Sequence, residues 1–124
     1  MNTDKAIGIV VFGHGSSVAS ANAAVAAVAD RAASAGGWSL YETAFLECPP
    51  RLEDAVRELV SRGAREVLVL PYFLTLGIHL QRDLPVLVDD LAAKYRVAIR
   101  VSPPLDGHAG LEKILVDRAN EALS

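Results

Sequence analysis

The chain predicts a single-domain α/β fold: an open parallel four-stranded sheet, strand order 2-1-3-4, with helices on both faces. Two observations predict it. Short apolar runs alternate with segments of helical period along all 124 residues, as successive βα units require. Three histidines, His14, His79 and His108, each fall shortly after a strand-like run, where the carboxyl ends of parallel strands open into one ligand crevice.

Residues 6–12 form a continuous apolar run with Ile7, Ile9, Val10 and Val11, the pattern of a strand buried on both faces. Residues 13–17 are a loop with two glycines, Gly13 and Gly15. Residues 20–35 are alanine-rich and helical, and Gly36-Gly37 stops them. Residues 38–46, with Leu40, Tyr41, Thr43 and Phe45, read as strand two. Pro49-Pro50 opens a helix near Arg51, with both prolines expected in its first turn. Leu52, Val56, Leu59 and Val60 recur at helical spacing until Gly63.

Strand three is residues 65–70. Residues 76–95 begin as a loop and become a helix through Leu84, Leu87, Val88 and Leu91, with Arg82, Asp83 and Pro85 expected in its first turn. Strand four is 96–101, residues 103–107 are a loop, and 111–123 form the last helix. Its apolar side is Leu111, Ile114, Leu115 and Ala119. Right-handed crossovers with one reversal of winding give the order 2-1-3-4. Strands one and three are then neighbours at the switch point. His14 and His79 would line one crevice, with Glu47 one strand further out.

A net charge of -3 and the lack of any Lys/Arg run exclude a nucleic-acid footprint. No stretch approaches the ~20 consecutive apolar residues of a membrane span. Lys5, a short apolar run and the small residues 19–24 mimic a secretion signal, but Gly13-His14-Gly15 interrupts the path to a cleavage site. A cytoplasmic location is expected, and Cys48, the only cysteine, fits a reducing compartment.

His14 stands in Gly13-His14-Gly15-Ser16-Ser17. It reads as a metal ligand or proton acceptor, or as a loop histidine bonded to a neighbouring strand end. The same glycine-bearing loop could offer N–H groups to an anion, though it lacks Walker spacing and its lysine. Gly13 also stands where a histidine phosphatase would need an arginine. His79 follows the apolar stretch of Phe73, Leu74 and Leu76, so it is expected to be partly desolvated and neutral, fit to bind metal or accept a proton. A packing or capping histidine is the alternative. Glu47 could complete a metal site or complement the start of the next helix. Cys48 beside it could bind a soft metal, or serve as a packing residue, the commoner role of a lone buried cysteine. His108 could hydrogen-bond a substrate or lie solvated in the last helix's first turn. Arg82 could meet a carboxylate of an anionic ligand, or face water.

Taken together, Gly13-His14-Gly15-Ser16, Ala44-Phe45-Leu46-Glu47, Pro71-Tyr72-Phe73-Leu74 with Gly77, His79, Asp83 and Pro85, and Pro104-Leu105 with Gly107-His108 resemble the small class II tetrapyrrole chelatases, the sirohydrochlorin cobaltochelatase/ferrochelatase type. The resemblance covers nearly the whole chain. It implies insertion of a divalent metal, Co²⁺, Fe²⁺ or Ni²⁺, into a sirohydrochlorin-like tetrapyrrole without ATP and without an organic cofactor. It implies His14 and His79 as the catalytic and metal-binding pair, with Glu47 as accessory metal ligand. Ser16, Phe73, Leu74, Gly77 and His108 would contact the macrocycle. The pattern departs at Ser17, where the family often has arginine. A cation for a substrate carboxylate would then come from Arg51 or Arg82. Longer relatives hold two such domains face to face, so a symmetric homodimer is implied, covering part of the apolar segment 72–78.

Overall fold

The computed structural model describes residues 6–124. Lys5, part of the signal-like pattern, lies outside them. The elements run β1 (Ile7–Gly13), α1 (Ala19–Gly36), β2 (Tyr41–Phe45), α2 (Leu52–Ser61), β3 (Glu66–Pro71), α3 (Ile78–Tyr95), β4 (Ala98–Val101) and α4 (Gly110–Leu123). The strands form one parallel sheet in the order β2-β1-β3-β4, as the crossover rules predicted. No described helix is long and apolar enough to cross a membrane.

One face of the sheet carries the main core. Val10 and Phe12 of β1 and Val67 and Val69 of β3 pack against Val56 and Leu59 of α2 and Leu84, Val88 and Leu91 of α3. On the other face Ile9 and Val11 are buried, and so are Ala29 and Ala33 of α1. Alanine suits that contact because a short side chain lets the helix axis lie close to the sheet. β1 is buried on both faces beyond Ile7. β3 instead alternates, with Leu68 and Leu70 only half-buried.

Four expectations are corrected. Pro49-Pro50 lies ahead of α2, whose N-cap is Arg51; the prolines shape the approach, not the first turn. α3 starts at Ile78, so Pro85 sits well inside it, and Arg82 and Asp83 lie beyond its first turn. The ring of Pro85 leaves the Gln81 carbonyl without a helical donor. β4 begins only at Ala98, since Arg96 ends α3 in the left-handed region with φ 54°. Finally, α4 buries none of its side chains: Ile114, Leu115, Val116 and Leu123 are 54%, 71%, 58% and 85% exposed.

Candidate functional site

The site is built where β1 and β2 end side by side. Their ladder continues past both strands: the Leu46 N–H donates to the Gly13 carbonyl at 2.9 Å and the Glu47 N–H to the His14 carbonyl at 3.0 Å. This backbone pairing sets Glu47 beside His14, and the side chains meet, with His14 Nε2 3.3 Å from Glu47 Oε2. Both are exposed, at 58% and 63% of their side-chain surface.

The loop that turns His14 outward is held from within. Gly15 has φ 92°, and a Cβ there would stand 2.9 Å from Cys48 Sγ and 3.0 Å from the Phe45 Cβ. Only glycine meets both demands. The Ser16 N–H donates to Asn22 Oδ1 at 2.9 Å, and Asn22 Nδ2 donates back to the Ser16 carbonyl at 2.8 Å. Ser16 Oγ accepts from the Val18 N–H at 3.0 Å. Two N–H groups that an anion would need are therefore engaged internally, which weighs against a phosphate-binding loop. Asn22 was missed by sequence reasoning. A polar residue near the start of an alanine-rich helix was its one available signal.

β3 delivers the opposite wall. Its end leads to Phe73, whose ring stands edge-on to both Phe12, with centroids 5.9 Å apart, and His14, at 6.4 Å. Gly77 caps α3, and His79 follows in the first turn. His79 is exposed, not desolvated as expected. It rides on the helix surface because α3 starts so early. His14, Glu47, Phe73, Gly77, His79 and Asp83, with Leu46, Ile78 and Leu80, line one cavity of about 420 Å³. The predicted gathering at the switch point is present. Among the described residues, though, no three His, Cys, Asp or Glu side chains come together closely enough to hold a metal ion. His14 and Glu47 form a donor pair, and His79 shares their cavity.

Arg82 reaches back along α3: its Nη2 lies 3.2 Å from His79 Nδ1, and its Nε donates to Asp83 Oδ1 at 2.9 Å. A guanidinium only donates, so His79 Nδ1 accepts and the neutral ring carries its proton on Nε2. Arg82 also holds the Asp83 carboxyl below the usual carboxylate range. Arg51 is occupied elsewhere, donating from Nη1 to the Leu46 carbonyl at 2.7 Å. Of the two cations expected to replace the arginine absent at Ser17, Arg82 meets the cavity side chains His79 and Asp83, whereas the Arg51 guanidinium meets the backbone carbonyl of Leu46.

Ser16, Leu74 and His108 do not line this cavity. His108 Nδ1 accepts the Gly110 N–H at 2.8 Å, a cap on the start of α4. With Tyr72, Leu74, Leu111, Ile114 and Val28 of α1 it borders a separate apolar groove of about 650 Å³.

The CbiX family model matches residues 8–122. The sirohydrochlorin cobaltochelatase of Methanopyrus kandleri is 25% identical over 139 residues, covering 94% of this chain and 97% of its own length. The chloroplastic sirohydrochlorin ferrochelatase of Arabidopsis thaliana is 31% identical over 119 residues, covering 94% of this chain. The chain spans 53% of that relative. Among solved structures, the sirohydrochlorin chelatase SirB from Bacillus subtilis subspecies spizizenii in complex with cobalt superposes with a TM-score of 0.84 at 26% identity, covering 93% of this chain and 50% of that one.

Proposed function

The chain belongs to the CbiX family, and on that premise we propose that it is a sirohydrochlorin chelatase, inserting Co²⁺ or Fe²⁺, with Ni²⁺ as a further candidate, into the macrocycle without ATP. The product would feed sirohaem or cobalamin synthesis in the cytoplasm. The observation that carries this reading is the pair of His14 Nε2 and Glu47 Oε2, 3.3 Å apart at the mouth of a cavity that His79 also lines. With metal–donor bonds of about 2.1 Å, two donors on a tetrahedral ion stand about 3.4 Å apart. The two donor atoms thus already stand at the separation that a divalent ion between them would require.

A substrate metal must also leave. Two protein donors, with water completing the shell, hold an ion less firmly than the closed sets of structural metal sites. An imidazole–carboxylate pair accepts Co²⁺, Fe²⁺ and Ni²⁺ alike. As the metal enters the macrocycle, two pyrrole N–H protons must depart. Once the metal has left, His14 Nε2 is free to take one. His79 takes the other when Arg82 turns from Nδ1 toward an incoming substrate carboxylate, a role that suits a guanidinium held beside the cavity. Phe73, Gly77 and Ile78 offer the apolar wall for a ring face. Ser16, Leu74 and His108 would contact the macrocycle only from a subunit placed opposite.

That subunit is a second copy of this chain in a homodimer. The chain corresponds to half of the cobalt-bound relative, and Tyr72, Leu74 and Ile78 are left 38%, 66% and 80% exposed. Metal-free protein mixed with sirohydrochlorin and Co²⁺ tests the chemistry, with the visible spectrum followed against a protein-free control. Acceleration by the native chain, lost in His14→Ala and His79→Ala, is expected. No acceleration above the control would refute it.

A further inference from the structure

On the chelatase reading given above, and resting on it for the substrate, we propose that the cleft between α2 and α3 is a second subsite, in which Arg51 binds a peripheral carboxylate of the macrocycle.

The cleft lies beside the cavity of His14 and Glu47. It holds about 230 Å³ and is walled by Phe12 of β1, Phe45 and Leu46 at the end of β2, Arg51 and Glu53 at the start of α2, and Leu87 of α3. Leu46 also lines the main cavity, so one side chain divides the two spaces. The main cavity, at about 420 Å³, lies in the lower part of the range of ligand pockets, about 300–1,000 Å³. A tetrapyrrole seated there must send its side arms outward, and one way out passes over Leu46.

An acidic arm on that path meets a guanidinium with donors to spare. Arg51 donates from Nη1 to the Leu46 carbonyl at 2.7 Å, which holds its head at the divide. A guanidinium carries five N–H donors, so this bond leaves enough for a carboxylate to engage two of them side by side. The acids nearby are already matched. Glu53 accepts from Lys94 and from the Tyr95 hydroxyl. Asp54 pairs with Arg57 at 2.7 Å and accepts the Arg51 backbone N–H at 2.8 Å. Among the described residues no carboxylate side chain pairs with the Arg51 guanidinium. Arg51 is thus the surplus positive charge of this corner, in a chain whose net charge is -3. The apolar walls of the cleft, Phe12, Phe45 and Leu87, concentrate its field toward an entering anion. Arg82 and Arg51 then hold arms on the α3 and α2 sides of the site, and two arms held so fix how the ring is turned above the ion.

Arg51→Gln keeps an N–H donor for the Leu46 carbonyl and removes the charge; Arg51→Lys keeps the charge. The side chain is exposed, so folding is spared, and thermal unfolding checks this. Metal-free sirohydrochlorin and its methyl ester are titrated by fluorescence into the native chain and both variants, and Co²⁺ is titrated separately. The expected result is a loss of about tenfold or more in the affinity of Arg51→Gln for the free acid. Ester binding and Co²⁺ affinity should change less than about twofold, with Arg51→Lys lying between for the acid. Unchanged acid binding overturns the subsite and leaves chelation standing. Equal losses for acid and ester, or a parallel loss of Co²⁺ affinity, show Arg51 to be a brace for Leu46 and Glu47 and overturn it too. A native chain that binds the acid through Arg51 without accelerating metal insertion upholds the subsite and refutes the enzyme. A native chain that binds no sirohydrochlorin overturns both.

Discussion

Replacing Gly15 by alanine should unseat the loop that carries His14. The new Cβ would be forced to 2.9 Å from Cys48 Sγ and 3.0 Å from the Phe45 Cβ, on a backbone at φ 92°. The left-handed conformation costs a non-glycine residue about 1–2 kcal/mol, and overpacking adds about 1–3 kcal/mol. Part of that cost is relieved by movement of the loop, so a loss of about 2–4 kcal/mol is expected. For a chain of this size that corresponds to a fall in Tm on the order of 10 °C. Movement of the loop also displaces His14 from Glu47, so Co²⁺ affinity should fall at least about tenfold, equivalent to 1.4 kcal/mol. The assays are thermal unfolding by circular dichroism and Co²⁺ titration at a temperature where both proteins are folded. Gly77→Ala is the control: nothing lies within 4 Å of its Cβ position and its φ is -68°, so its cost should stay below about 1 kcal/mol. A Gly15→Ala protein as stable as Gly77→Ala, binding Co²⁺ normally, would refute the reasoning.

Asn22→Ala removes both bonds to Ser16 and should cost about 1–2 kcal/mol in urea unfolding, while slowing chelation through loss of loop order. Glu47→Gln should weaken Co²⁺ binding about tenfold or more, read by titration; its side chain is 63% exposed, so Tm should hardly move. Glu53 joins α2 to α3, accepting from Lys94 and from the Tyr95 hydroxyl. Lys94 first and Tyr95 second hold its carboxyl below the usual range. With the folded value depressed, this contribution is complete above the unfolded pKa of 4.5 and is lost as pH falls from there through the depressed folded value. Glu53→Gln should therefore flatten stability against pH in the acid window below about pH 5, measured by urea midpoints, and a curve parallel to the native one would count against the contact.

Strand order and the meeting of His14, Glu47 and His79 at one cavity were legible because apolar runs and crossover handedness leave few alternatives. Helix starts were less so. Pro85 pointed to a first turn, yet Gly77 and the bond from the Gln81 N–H to the Gly77 carbonyl begin α3 earlier, which also brings His79 to the surface. The hydrophobicity of Phe73, Leu74 and Leu76 suggested shelter for that imidazole, but hydrophobic neighbours in sequence do not cover a side chain that a helix turns outward. Alternating burial in β3 and the unburied stripe of α4 were invisible for another reason. Periodicity tells that a face is apolar and not which molecule covers it. The hold of Asn22 on Ser16 depends on a loop geometry that spacing does not encode.

The two sides of the cavity are anchored unequally. His14 and Glu47 extend a parallel ladder whose β1 member is buried on both faces, so their backbone can part only when the sheet itself opens. His79 sits in the opening turn of a helix, where amides lack intrahelical acceptors and fraying is least costly. One wall thus behaves as an anvil and the other as a hinge. Amide exchange should be slow at Glu47 and fast at His79, and a flat macrocycle would be admitted by the yielding of α3's first turn while His14 and Glu47 stand still.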